Sequence, residues 1–144
     1  MQKSLSKRAR QIIEFAQQEA ASHGIDHVEP PHLLLGLLHD DSRWPSANIA
    51  VHVLESKQVE IDPLRRDIEA QITQGSAAVV INAETLQPDE RTRLVFDRAD
   101  EEATRLGDMF IGCEHILLGL LCDEPMADLL HHITLEEVRE AARA

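Results

Sequence analysis

Apolar residues near the start of the chain recur at a helical spacing. Five of them keep a period of about 3.6 residues and predict an amphipathic helix over residues 6–22: Ala9, Ile12, Ile13, Ala16 and Ala20. Ser6 is a suitable N-cap for this helix, and Gly24 stands where a helix commonly ends in a left-handed conformation. Because Leu33–Leu38 is apolar on every side, it predicts a second helix that begins near Pro31 and is buried at the centre of its bundle.

Six further helices are predicted along the rest of the chain, and their approximate ranges are 47–56, 62–73, 89–105, 113–122, 125–131 and 134–143. Residues 74–88 are the predicted connector between the two halves. Within it, Val79–Ile81 fits either a short extended segment or an ordinary loop. The pattern therefore predicts an all-α fold of eight helices.

The two halves of the chain are copies of one repeat. Residues 16–38 and 99–121 align at a constant offset of 83, with ten of 23 positions identical. Further on, residues 59–65 resemble residues 133–139 at an offset of 74. The first copy therefore holds about nine extra residues, mostly around 41–48, where Trp44 and Pro45 occur. We predict one domain over 1–144, with repeat one at 5–73, a linker at 74–88 and repeat two at 89–143.

Gly36 and Gly119 are matching positions inside the second helix of each copy. Glycine in a helix interior costs about 1 kcal/mol relative to alanine. We expect each glycine to admit the close approach of another backbone, with the matching helix of the other copy as the candidate neighbour.

Composition narrows the choice of function. Hydrophobic residues make up 43% of the 144 residues and aromatic residues only 3%, which favours aliphatic packing of helix on helix. The net charge of −12 argues against nucleic acids and anionic membrane surfaces as partners, because both attract basic proteins. Two cysteines are too few for a disulfide scaffold. The N-terminus is charged and lacks the apolar run of a signal peptide, which favours a cytoplasmic protein.

The sequence supplies no recognisable catalytic or metal centre. Its eight histidines do not combine with Cys113 or Cys122 at the spacing of a zinc site. His32 and His115 fall in the first turn of helix two in each copy, where we expect them to bond backbone groups or pack between the copies. Cys113 is at a helix start, where a thiolate is favoured, but His115 two residues later does not face it. We predict no enzyme activity and no cofactor.

A family resemblance becomes visible in the second copy. Residues 111–121, with the sequence IGCEHILLGLL, closely resemble the G-T-E-H-I-L-L-G-L signature of the Clp N-terminal domain. Ala99, Glu102, Ala103 and Gly107 also fit the family pattern, and the resemblance extends from about Leu5 to Ala142. It implies a pseudo-twofold eight-helix bundle that docks adaptors and substrates at the front of a Clp-type AAA+ unfoldase.

The chain contains no G-x-x-x-x-G-K-[ST] phosphate loop and therefore no ATPase motif. It corresponds either to a free-standing Clp N-domain protein, which its length favours, or to an excised domain. The alternative function is a free-standing repeat scaffold or small-ligand binder that has left proteolysis and forms a dimer.

The resemblance also suggests where a ligand or partner binds. Some members of the family bind phosphoarginine with one pocket per copy, in which a glutamate accepts from the guanidinium. Glu114 matches that glutamate, whereas the first copy has Pro31 there, and the motif threonine is replaced by Pro30 and Cys113. The resemblance therefore implies at most one such pocket. The predicted partner surface, at the starts of helices one and two, consists of Arg8, Glu29, Pro31, Arg91, Cys113 and Glu114.

Overall fold

Eight α-helices form the described part of the chain in a computed structural model, which describes residues 3–39, 49–72 and 82–143. The helices are α1 (Lys7–Ser22), α2 (Pro30–Leu37), α3 (Ile49–Ser56), α4 (Ile61–Ala70), α5 (Glu90–Leu106), α6 (Cys113–Leu120), α7 (Glu124–Leu129) and α8 (Leu135–Arg143). A 3-10 helix covers Ala83–Thr85. The predicted all-α fold is confirmed, while the insertion around 41–48 and the segment Val79–Ile81 lie outside the described residues.

The long first helix of each repeat begins and ends on local signals in the sequence. The Ser6 hydroxyl accepts from the Ala9 N–H at 3.1 Å, and the Asp89 carboxylate accepts from the Thr92 N–H at 2.8 Å. Each bond satisfies a donor that a helix start would otherwise leave free. Gly24 and Gly107 close the two helices at φ values of 72° and 76°, a region that glycine enters without strain.

The core is centred on α2 and α6. Every residue of α2 is buried, and α6 is buried apart from Glu114, as predicted for helices that are apolar on all sides. The close backbone approach at the glycines is present, but the neighbour is not the matching helix. A Cβ on Gly36 would lie 2.6 Å from the Ile12 carbonyl oxygen, and one on Gly119 would lie 2.4 Å from the Val95 carbonyl oxygen. Each glycine therefore seats helix two against helix one of its own repeat.

Two short parallel pairings cross between the repeats. Strand β1 (His27–Val28) pairs with β2 (Gln87–Pro88), and Leu5 forms a parallel bridge with Ile111. At the offset of 83, Leu5 corresponds to Pro88 and Ile111 to Val28, so the two pairings are equivalent. The sequence did not predict them, because a pairing of one or two residues carries no detectable period.

The remaining helices also pack across the two repeats, α3 beside α8 and α4 beside α7. Lys57 at the end of α3 forms an ion pair with Glu137 in α8. Within each repeat the last helix carries the same pair three residues apart, Asp62 with Arg65 and Glu136 with Arg139. These matching pairs agree with the alignment at an offset of 74.

None of the described helices combines the length and the apolar character that crossing a membrane requires.

Gln58 is the one described non-glycine residue with a positive φ, 62°. It ends α3 in a Schellman-type turn, in which Gln58 N donates to the Glu55 carbonyl at 2.9 Å and Val59 N donates to the Leu54 carbonyl at 3.1 Å. Because a side chain is strained in the left-handed region, we expect Gln58→Gly to stabilise the fold by about 1 kcal/mol.

Urea denaturation at neutral pH measures this change in the free energy of unfolding. Gln71→Gly is the matched control, because Gln71 ends α4 with φ −87° and has no such strain to relieve. An equal or larger gain in the control variant would show that the conformation of Gln58 is not the cause.

Candidate functional site

The first cluster of predicted site residues lies where α1 meets α6, and we call it the α1/α6 edge: Arg8, Cys113 and Glu114. The start of α1 is held there because Ser6 N donates to the Ile111 carbonyl at 2.9 Å. The Arg8 guanidinium lies against the Cys113 thiol. Repeat one thus supplies the cation at this edge, and repeat two supplies the thiol and the carboxylate.

Glu114 is the exposed member of α6, with 29% of its side chain accessible. Its carboxylate folds back over the start of the helix, since a Cβ on Gly112 would lie 2.8 Å from Glu114 Oε1. A carboxylate in this place is stabilised by the positive end of the helix dipole. Glu114 can therefore accept hydrogen bonds from a partner that reaches the α1/α6 edge.

Cys113 is a buried thiol. Burial raises its pKa to about 11, with the neighbouring Glu114 carboxylate adding to the effect and Arg8 opposing it. The position at a helix start, which favours a thiolate, is therefore outweighed by desolvation. The arrangement does not supply a nucleophile at neutral pH.

Thiol labelling at neutral pH tests the state of Cys113 against the exposed Cys122. We expect Cys122 to react at the rate of an ordinary thiol and Cys113 to react more slowly by about 100-fold or more. The reason is that a pKa raised from 9.0 to about 11 lowers its thiolate fraction about 100-fold. Cys113→Ser and Cys122→Ser separate the two signals, and comparable rates for both thiols would overturn this assignment.

The second cluster lies where α5 meets α2, and we call it the α5/α2 edge: Arg91, Glu29 and Pro31. It is held by the equivalent bond, in which Asp89 N donates to the Val28 carbonyl at 2.9 Å. The Arg91 guanidinium donates twice to Asp123, at 2.7 and 3.2 Å, and this ion pair raises its pKa, with Asp89 and Glu29 contributing. Pro31 is buried and offers no acceptor. The Arg91 cation of this edge is therefore already paired with a carboxylate of the same chain.

The histidines of the two repeats stabilise the starts of α2 and α6, as predicted. His32 Nδ1 accepts from the Glu29 N–H at 2.9 Å, and His115 Nδ1 accepts from the Gly112 N–H at 2.8 Å. The proton of each neutral ring is therefore on Nε2. His115 Nε2 donates to Asp108 at 2.7 Å. Sequence reasoning missed Asp108, because a single acid in a turn is not a specific signal.

The first repeat has no equivalent acceptor, since Ile25 stands where the second has Asp108. His32 is fully buried, and its Nε2 has no hydrogen-bond partner among the described residues. Burial, with smaller contributions from the nearby His23 and His27, lowers the pKa of His32 to about 4. His32 is therefore neutral at pH 7.

Asp108, Glu114 and His115 bring carboxylate and imidazole donors within 4.8 Å of one another. Both nitrogens of His115 are already engaged, Nδ1 by a backbone N–H and Nε2 by Asp108. A metal ion would have to displace one of these bonds, so the arrangement fits a structural role for His115 and not a ligand role.

The chain is similar in sequence to known proteins along most of its length. The family model for the Clp repeat (R) N-terminal domain matches residues 4–133. A probable ATP-dependent Clp protease ATP-binding subunit of Chlamydia pneumoniae is 32% identical over 144 residues, which cover 97% of this chain and 16% of that protein. The ATP-dependent Clp protease ATP-binding subunit ClpC of Staphylococcus aureus is 34% identical over 117 residues, covering 81% of this chain and 13% of that protein. The chain thus spans about a sixth or less of the length of these relatives.

Solved structures with the same fold include one N-terminal domain from a plant and one from a fungus. The N-terminal domain of the chaperone ClpD from Arabidopsis thaliana superposes with a TM-score of 0.68 at 26% identity, covering 96% of this chain and 94% of that one. The Hsp104 N-terminal domain from Candida albicans gives a TM-score of 0.74 at 18% identity, covering 96% and 89% of the two chains. At the lower identity the likeness concerns the fold alone.

Proposed function

The chain belongs to the Clp repeat (R) N-terminal domain family, as residues 111–121 predict, and we propose that it docks adaptor or substrate proteins of a Clp-type unfoldase through the α1/α6 edge. The family domain is a non-catalytic interaction module of these ATPases. For this chain itself, we propose three things: that it docks other proteins, which partners it docks, and through which edge.

The proposal rests chiefly on the way in which the two repeats are joined. The bond from Ser6 N to the Ile111 carbonyl brings the start of α1 from one repeat against the start of α6 from the other. A cation and a partly exposed carboxylate, Arg8 and Glu114, are thereby both brought close to Cys113 before any partner arrives. Such preorganisation lowers the ordering cost of binding.

Electrostatics favour a protein partner with a basic face. The net charge of −12 attracts positively charged surfaces and repels polyanions. The α5/α2 edge is less suited to docking, because Arg91 is held by Asp123 and Pro31 provides no acceptor. We therefore assign docking to the α1/α6 edge alone.

A pull-down from lysate of the source organism, with ATP present and mass spectrometry as the readout, tests the proposal. The expected result is enrichment of a Clp-type unfoldase, its protease or an adaptor, and a reduced yield with Arg8→Gln combined with Glu114→Gln. The control combines Arg10→Gln with Glu14→Gln, two exposed residues of α1 that leave the edge intact. Recovery of the chain alone as a dimer would favour the scaffold alternative instead.

Phosphoarginine is a second candidate ligand of the α1/α6 edge, favoured by one observation. Glu114 carries its carboxylate at the start of α6, where it could accept from a guanidinium while the free N–H groups of the helix face the phosphate. Cys113 replaces the threonine of the family motif, and its buried thiol is a weaker partner. Isothermal titration should give measurable heat that Glu114→Gln abolishes, and no heat at millimolar phosphoarginine would remove this candidate.

A further inference from the structure

A groove outside both edges lies at the turn between α3 and α4. Its volume is about 500 Å³, and it opens broadly to solvent. Its lining includes three partly exposed apolar side chains, Val59, Ile61 and Pro63. Three carboxylates share the lining, those of Glu55, Glu60 and Asp62. None of the described residues that line it is basic, so the groove combines apolar contact area with negative charge.

The charge in this groove is only partly neutralised within the chain. Arg65 lies 3.6 Å from the Asp62 carboxylate, and its other amino group donates to the Leu38 carbonyl. Glu55 and Glu60 are exposed and make no ion pair among the described residues. Two uncompensated carboxylates therefore face solvent beside an apolar surface.

The equivalent turn of the second repeat differs from this groove. The turn between α7 and α8, residues 130–134, carries no carboxylate, and the Lys57 ammonium pairs with Glu137 in the first turn of α8. Ile133, the counterpart of Val59, is 5% exposed, whereas Val59 is only partly buried. Repeat one therefore leaves an apolar side chain and the Glu60 carboxylate accessible at this turn, where repeat two has Thr134 and the buried Ile133.

We propose that the α3–α4 groove docks a partner segment in which lysine or arginine stands next to an apolar residue. The apolar side chain would contact Val59 and Ile61, and the cation would pair with the exposed carboxylates of Glu55 and Glu60. Charge complementarity selects the basic segment over an acidic one. This surface shares no residue with the α1/α6 edge, so the two proposals fail or succeed separately.

An NMR titration of the ¹⁵N-labelled chain with the peptide acetyl-Gly-Leu-Lys-Leu-Lys-Gly-amide tests this inference. Saturable shifts are expected at residues 55–63, and they should weaken as the salt concentration rises from about 50 to about 500 mM. Glu55→Gln combined with Glu60→Gln should weaken binding about fivefold or more, because two ion pairs are lost. The same peptide with glutamate in place of lysine should not bind.

Glu14→Gln combined with Glu101→Gln is the matched control, since both residues are exposed, lie on other helices and change the net charge equally. This control should bind the lysine peptide within about twofold of the original chain, because a change of net charge alone acts weakly at this distance. Shifts located elsewhere, no shifts at millimolar peptide, or equal weakening in both variants would overturn the groove assignment.

Discussion

Gly119→Ala is expected to lower the free energy of unfolding by about 3 kcal/mol. The added Cβ would lie 2.4 Å from the Val95 carbonyl oxygen and 3.1 Å from a methyl carbon of the same residue. The first contact is with backbone of α5, which cannot move aside as a flexible side chain could. Either α6 must retreat from α5 or the buried surface between them must open.

Whether Gly119→Ala lowers or raises the free energy of unfolding shows whether packing or helix propensity dominates at this position. Replacing glycine by alanine inside a helix normally stabilises it by about 1 kcal/mol. Loss of stability in Gly119→Ala would therefore report the close approach itself. Gly107→Ala is the control: a Cβ there meets nothing within 4 Å, so only the left-handed φ of 76° opposes it, with a smaller cost of about 1 kcal/mol. Urea denaturation of both variants gives the comparison, and an unchanged or increased stability of Gly119→Ala would refute the account of the core.

Acidification is expected to remove about 2–3 kcal/mol of stability between pH 7 and pH 4.5 through His32 alone. The pKa of His32 is lowered from 6.5 to about 4 in the folded chain, chiefly by burial. As the pH falls below 6.5, the unfolded chain therefore binds a proton at His32 that the folded chain does not bind. The stabilisation is fully present above pH 6.5 and is lost as the pH falls towards 4.

His32→Asn isolates this contribution from the titration of the carboxylates. The asparagine oxygen can accept from the Glu29 N–H in place of Nδ1, and it does not titrate in this range. We expect the variant to lose about 2–3 kcal/mol less than the original chain over the same interval, measured by urea denaturation at each pH. Parallel pH dependence in the two proteins would mean that His32 is not the group that resists protonation.

Much of the helical framework was predictable because it depends on local patterns. The periodicity of Ala9, Ile12 and Ala16 and the caps Ser6 and Asp89 indicate α1 and α5 within one or two residues. The predictions were less accurate for helix ends that depend on packing. Helix α6 ends at Leu120, two residues before the predicted end, and α4 ends at Ala70, three residues before it.

The features that organise the candidate site are mostly non-local. The need for a small residue at Gly119 was visible in the sequence, but the identity of its neighbour depends on which helix packs there. The bond from Ser6 to Ile111 joins residues far apart in the chain and involves only backbone atoms. The grouping of Arg8 with Cys113 follows from that bond, so composition and spacing could suggest these residues without showing which ones meet.

The docking proposal is tested most directly by a photo-crosslinking amino acid placed at Glu114 and, as the control, at the exposed Glu101 of α5. Both chains are irradiated in lysate of the source organism with ATP present, and the adducts are identified by mass spectrometry. Docking at the α1/α6 edge predicts light-dependent adducts with a Clp-type unfoldase, its adaptor or a substrate from position 114 and not from position 101. Equal adducts from both positions, or adducts at 114 only with another copy of this chain, would contradict docking at the α1/α6 edge.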